Sequence, residues 1–204
     1  MTAPAVRDYQ LLLPAGWLRI PLDDRAQQRI VLLAKTQTRD VPPDQREAVR
    51  NALVEVLTAA AGDAAGAGGT DVIVCTTSLE GVPISASCVV SHHPGSADSA
   101  VDVAGRLTEV DGNVTVVELA GASAVRRVSS RDIPYDAVLR SRLKEKLGRG
   151  ARDHDPVAHE VTFFVPLPAS TGWLVFTFST PQPALADALE ALFDAIMSTL
   201  RWVR

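Results

Sequence analysis

Two segments of the chain each alternate apolar and polar or small residues on both sides of a short turn that contains glycine. The first is DVIVCTTSLEGVPISASCVVSHH, with its turn at Glu80-Gly81, and the second is NVTVVELAGASAVRRVSS, with its turn at Ala120-Gly121. Alternation with a period of two around a tight turn is typical of β-hairpins, whose strands are antiparallel. Two hairpins in the middle of the chain therefore restrict the fold to one built on an antiparallel sheet.

Further strands and two helices are predicted on either side of these hairpins. Strands are expected over residues 9–13 and 17–21, and later in HEVTFFVPLP and GWLVFTFST. One helix is expected over about 25–36, capped by Asp23 or Asp24, and a second follows Asp44. The second helix has an apolar stripe at spacings of three and four, formed by Val49, Ala52, Leu53, Val56, Leu57 and Ala60. Residues 100–108 fit either a short helix or a strand.

The strongest helical pattern closes the chain, from about Pro183 to Trp202. Its apolar stripe consists of Leu185, Leu189, Leu192, Phe193, Ile196, Leu200 and Val203. Asp187, Glu190 and Asp194 are expected to face away from the sheet on which this stripe packs. The predicted core includes Leu11, Leu13, Trp17, Leu53, Leu57, Ile73, Cys75, Cys88, Phe163, Val175, Leu189, Phe193 and Ile196. The sequence thus predicts an α+β fold, an antiparallel β-sheet with helices packed on it.

Short motifs at the two ends of the chain resemble the PsbP-like fold family. They are LPAGW at 13–17, WLVFTFSTP at 173–181 and STLRW at 198–202. This family includes photosystem PsbP, the yeast Ran-binding Mog protein and the LpqN-type mycobacterial lipoproteins. The resemblance implies a single PsbP-like domain over 1–204, an α/β/α sandwich in which Trp17 plugs the core. A basic helical insertion around 131–155 has no counterpart in the family, and the chain lacks the lipidation cysteine of the LpqN type.

Composition excludes some classes of function. The net charge of −4 argues against a nucleic-acid-binding protein driven by overall positive charge. No stretch approaches the roughly 20 apolar residues of a membrane span, and residues 1–10 contain no apolar core of secretory length. We therefore expect a cytoplasmic protein, and the abundance of alanine and arginine suggests a GC-rich, actinobacterial genome.

The sequence contains no recognisable catalytic or metal-binding constellation. The phosphate-binding loop, the dinucleotide fingerprint and the G-x-S-x-G elbow are all missing from it. Cys75 and Cys88 are expected on one buried strand face, adjacent or one register step apart, where burial makes a thiol inert. His154 and His159 in DHDPVAHE are separated by five positions and by Pro156, which does not suit a metal site. We predict no catalytic residue, no cofactor and no metal.

The most function-like feature is a cluster of basic residues in an otherwise acidic chain. The candidate partner-binding residues are Arg126, Arg127, Arg140, Arg142, Lys144 and Lys146. Such a patch is typical of a docking surface for an acidic partner, although a solvated helix face explains the same pattern. Tyr135 is the one aromatic residue among these charges, which does not favour single-stranded nucleic acid.

The resemblance implies a non-catalytic accessory or adaptor protein that acts by protein–protein interaction. A bacterial secretion-related assembly is the setting we expect for it. One alternative is a small-molecule-binding protein or enzyme with a pocket beside the basic 126–152 segment. Another is a homodimer formed through the apolar C-terminal helix and Trp202.

Overall fold

The computed structural model describes residues 8–79, 82–94, 98–109, 113–132, 157–168 and 172–203. The helices within these residues are α1 Ala26–Gln37, α2 Pro43–Gly66, α3 Ala100–Thr108 and α4 Ala186–Ser198, the last preceded by a 3₁₀ turn at Pro183–Leu185. The strands are β1 Asp8–Gln10, β2 Trp17–Pro21, β3 Gly69–Cys75, β4 Ser78–Leu79, β5 Val82–Pro83, β6 Ser87–Pro94, β7 Asn113–Leu119, β8 Ala122–Asp132, β9 Val157–Pro166, β10 Gly172–Thr180 and β11 Arg201–Val203.

Seven strands of the described residues form one antiparallel sheet, which organises the fold. Its strand order is β2-β3-β6-β10-β9-β8-β7, and every neighbouring pair is antiparallel. β1 and β11 form a separate two-stranded sheet, and β4 and β5 form another. β8 and β9 are paired up to their ends, where Asp132 lies opposite Val157. The predicted α+β class, with an antiparallel sheet, is confirmed.

Helices cover both faces of this sheet, which is a three-layer α/β/α arrangement. Alternate residues of β10 show it: Leu174, Phe176 and Phe178 pack in the core shared with α4, whereas Trp173 and Val175 pack with α3. On β3 the same alternation sends Val72 and Val74 toward α1 and α2. Successive side chains of a strand point to opposite faces, so central strands become almost continuously apolar when both faces are covered.

Aromatic rings fill the core beneath α4. Phe193 of α4 stacks on Phe178 with ring centroids 4.7 Å apart and meets Trp17 edge-on at 6.1 Å. Trp17 is only 6% exposed, which agrees with the predicted core role. It follows Gly16, whose φ of +79° suits the third position of a turn closed by the Trp17 N–H to the Pro14 carbonyl at 3.0 Å. A Cβ at Gly16 would also lie 2.0 Å from Cγ2 of Thr77.

Both predicted hairpins form. In the first, Ile73 lies opposite Cys88 and the Cys75 N–H donates to the Ala86 carbonyl, so the two cysteines are one register step apart. Both are free thiols: Cys88 is fully buried and Cys75 is half-buried. In the second, Ala120 and Gly121 have φ of 50° and 80° between the paired strands β7 and β8. Two consecutive positive φ values match the tight turn that the twist of a hairpin favours.

Several predicted boundaries are wrong. The closing helix ends at Ser198 and not at Trp202, because Arg201–Val203 form a strand paired with β1. Neither Asp23 nor Asp24 caps α1 with its side chain; Asp23 instead accepts from the Arg25 N–H and pairs with Arg29. α2 begins at Pro43, which places Asp44 inside its first turn. Residues 100–108, which fitted either a helix or a strand, form α3. Its N-terminus is closed by a capping box made by Ser99 and Asp102.

One buried ion pair joins the small β1–β11 sheet to the large sheet. Asp71 on β3 is 4% exposed, and its carboxylate accepts from Nε of Arg19 on β2 at 2.7 Å. The other guanidinium nitrogens of Arg19 donate to Asp8 and to the Tyr9 carbonyl, and the group lies 3.9 Å from the centre of the Tyr9 ring. Burial raises the pKa of Tyr9 well above its ordinary value, so this phenol stays neutral.

We predict that Arg19→Met lowers the free energy of unfolding by about 3 kcal/mol, because it leaves the Asp71 carboxylate buried without its cation. Arg29→Met is the matched control. It removes an ion pair with Asp23 in which the two side chains are 38% and 53% exposed, and it should destabilise the fold much less than Arg19→Met does. Urea unfolding at neutral pH measures both values. Equal losses in the two variants would contradict the structural role given to Arg19.

Candidate functional site

The structure places two of the predicted partner-binding residues on β8, but on opposite faces of the sheet. Arg126 is on the side of buried Ala124, facing α4, while Arg127 shares its side with Val125, which packs toward α3. Adjacent residues of a strand cannot share one flat surface. The partner-binding role of Arg127 stays a prediction. Arg140, Arg142, Lys144 and Lys146, like most of the basic insertion, lie outside the described residues.

Arg126 joins β8 to α4, and its partner-binding role also stays a prediction. Its guanidinium donates to Asp194 at 2.7 Å and to Glu190 at 2.5 Å, and the side chain is only 12% exposed. The expectation that Glu190 and Asp194 both face away from the sheet was therefore wrong. Nε2 of His159 on β9 is 3.0 Å from the other oxygen of Glu190. These four side chains form one charged cluster that ties the closing helix to two strands.

The charges of this cluster set the protonation of Glu190. Hydrogen bonding from Arg126 holds the pKa of Glu190 below its ordinary value near 4.5, and His159 acts in the same direction while burial opposes both. A lowered pKa means that Glu190 binds a proton less readily in the folded protein than in the unfolded chain. Ionised Glu190 therefore stabilises the fold above about pH 4.5, and this contribution is lost as pH falls through its lowered pKa.

The described cysteine and histidine side chains outside this cluster are not assembled into a site. Burial raises the pKa of the Cys88 thiol, as expected for an inert core cysteine. His93 contacts the Ser91 hydroxyl at 2.9 Å on the exposed end of β6. Within the described ranges, no group of three His, Cys, Asp or Glu residues could hold a metal ion. His154, from the predicted loop cluster, lies outside those ranges.

The most site-like feature is an open groove between α2 and the ends of β3, β6 and β10, which we call the α2 groove. It has a volume of about 570 Å³. Its apolar wall comes mainly from one flank of α2, with Val49, Leu53, Val56, Leu57 and Ala60. Its other wall carries hydroxyl groups and small residues from the strand ends, namely Thr76, Thr77, Ser85, Ser87 and Ser179, with Cys75, Ile84 and Ala86 between them.

The position of the α2 groove explains an error in the sequence-based expectation for α2. The stripe from Val49 to Ala60 was predicted as one packing face. Of that stripe the structure buries Leu57 fully and Leu53 and Ala60 in part, and α2 also buries Ala61 and Ala64, so the packing face is rotated toward these two alanines. Val49 and Val56 are left 42% and 64% exposed along the groove. Periodicity identified an apolar flank correctly, but it does not show whether another element covers that flank.

Comparisons with known proteins leave the family open. No protein-family model matches the chain, and no curated protein shows significant similarity to it. The resemblance to the PsbP-like family therefore stays a prediction. Among the described helices, none combines the length and apolar character needed to cross a bilayer.

The charged cluster of Arg126, His159, Glu190 and Asp194 leads to a prediction about how stability depends on pH. Glu190→Gln should lower the free energy of unfolding at pH 7 by about 2 kcal/mol, because it weakens hydrogen bonds that involve charged groups. The difference from the unsubstituted protein should shrink as pH falls below about 4.5, since Glu190 itself becomes protonated as pH falls through its lowered pKa. Asp187→Asn, at an exposed acid on the same helix, is the control and should show a much weaker trend. A constant difference for Glu190→Gln across this range would contradict the assignment.

Proposed function

We propose that this chain is a non-catalytic accessory protein that binds an apolar segment of a partner protein in the α2 groove. The observation that carries the proposal is the lining of the groove. Apolar side chains and hydroxyls surround about 570 Å³, and none of the described lining residues is Asp, Glu, His, Lys or Arg. Acid–base catalysis needs titratable groups positioned at the substrate, and this lining offers none besides the thiol of Cys75.

The exposed part of the lining favours a protein partner. Val56 is 64% exposed and Val49 is 42% exposed, and an apolar patch at a groove is typical of an interaction site. The opposite wall supplies hydroxyl groups at strand ends, which can hydrogen-bond the main chain of a bound segment. An apolar segment can contact the apolar wall with its side chains and hydrogen-bond the hydroxyl groups of the other wall with its main chain. We expect the protein that contains this segment to belong to a bacterial secretion-related assembly.

The first test is a charge placed on the apolar wall. Val56→Asp should weaken binding of the partner at least about tenfold, because an unpaired carboxylate would be buried in the complex. Val101→Asp is the matched control, since Val101 is 69% exposed on α3 and does not line the groove. Both substitutions should change the free energy of unfolding by less than about 0.5 kcal/mol.

The readout is quantitative affinity purification from the native lysate, with the purified partner then titrated against each variant. A partner held by the unsubstituted protein and by Val101→Asp, but lost from Val56→Asp, supports the proposal. A partner that binds all three equally would contradict the role of the α2 groove. A complex that contains only copies of this chain would contradict a heterologous partner and would indicate self-association.

The basic insertion makes a separate prediction. Changing Arg140, Arg142, Lys144 and Lys146 to glutamate should slow association with an acidic partner by tenfold or more, because steering by opposite charges is reversed. Association rates measured at low and high salt check this, since screening should slow the unsubstituted protein and not the variant. Unchanged rates at low salt would leave these residues as a solvated face.

A further inference from the structure

A second cavity of about 450 Å³ lies between the end of α1 and the beginning of α2, and we call it the basic pocket. Four of its lining residues are cationic, namely Lys35, Arg39, Arg46 and Arg50. Leu32, Thr36 and Thr38 complete the lining, and Thr38 also lines the α2 groove. No acidic residue is among the residues that line it. A concentrated positive site is notable in a chain whose net charge is −4.

These cations differ from most other arginines of the described structure. Arg19, Arg29, Arg106, Arg126 and Arg131 each form an ion pair with a carboxylate. None of the four cations of the basic pocket makes such a pair in the described part of the chain. Asp40, Asp44 and Glu47 are near in sequence, but they are exposed and do not line the pocket. Within the described residues, no carboxylate at the pocket compensates its positive charge.

The placement of Arg46 and Arg50 suggests a ligand rather than a solvated surface. They lie one turn apart on α2, and both are half-buried. Like charges at this spacing destabilise a helix, so the arrangement has a cost in the empty protein. Nε of Arg46 donates to the Val41 carbonyl at 3.1 Å, which holds the guanidinium in place. Its two terminal nitrogens make no hydrogen bond that the structure describes, and they can bind an anion.

We propose that the basic pocket binds a phosphoryl group carried by a small-molecule ligand. Guanidinium groups bind phosphate oxygens through paired hydrogen bonds, and several cations around one space suit a multiply charged anion. The hydroxyls of Thr36 and Thr38 donate to the carbonyls of Leu32 and Ala34, so the cationic groups are the available donors. α1 ends and α2 begins here, so the negative end of one helix dipole lies near the positive end of the other. The sign of the electrostatic potential in the pocket is therefore set by its side chains. A volume of about 450 Å³ exceeds that of phosphate alone, which favours a phosphorylated metabolite or nucleotide.

The test is calorimetric titration with inorganic pyrophosphate at low ionic strength. Arg46→Gln combined with Arg50→Gln should raise the Kd about 100-fold, because two charge-assisted contacts are lost. The charge-matched control combines Arg25→Gln with Arg201→Gln, since neither residue lines the basic pocket. The control and Val56→Asp should bind pyrophosphate like the unsubstituted protein. Without ligand, urea unfolding of the pocket variant and of the control shows whether both are folded, so that a loss of binding is not a loss of structure.

The outcomes separate the sources of the phosphoryl group. Loss of pyrophosphate binding in the pocket variant alone supports a soluble ligand. Binding only to phosphatidylcholine vesicles that contain phosphatidic acid, lost in the same variant, supports a phosphoryl headgroup on a membrane. Equal weakening in the charge-matched control would overturn the proposal, as would citrate binding as tightly as pyrophosphate. If neither pyrophosphate nor these vesicles bind, the proposal is also overturned, independently of the result of the partner-binding test on the α2 groove.

Discussion

A buried carboxylate constrains the assembly of this fold. Asp71 lies within β3 at 4% exposure, where an unpaired charge would be very costly, and Arg19 on the neighbouring strand neutralises it. The same guanidinium then reaches Asp8 and the Tyr9 ring, so the neutralising group also holds β1. β1 in turn pairs with β11 at the other end of the chain. One electrostatic requirement in the large sheet thereby fixes the position of both ends of the described chain.

The parts of the fold that were predictable are those specified by local pattern. The alternation in β3, β6, β7 and β8 and the apolar stripe of α4 need only a few neighbouring residues to be recognised. The final strand could not be recognised in this way. It has three residues, and it is extended because Trp202 pairs with Tyr9, far away in sequence. The order of the strands also depends on such distant pairings, as between β6 and β10.

The candidate site was harder to predict than the fold because its parts are distributed. The apolar flank of α2 was visible in the sequence, but the absence of a covering element was not. Lys35 and Arg39, and Arg46 and Arg50, are two pairs of cations at a spacing of four. Neither pair indicates a site by itself, and only the packing of α1 against α2 brings both to one cavity. The denser charges at 126–152 therefore dominated the sequence-based hypothesis.

The pairing of β8 with β9 brings together the two strand ends that flank residues 133–156. Because Asp132 lies opposite Val157, the last described residue before 133–156 and the first one after it are neighbours in the sheet, about 5 Å apart. The connection over 133–156 is therefore not required to span any distance. Its length and composition can change during evolution without a change in sheet register.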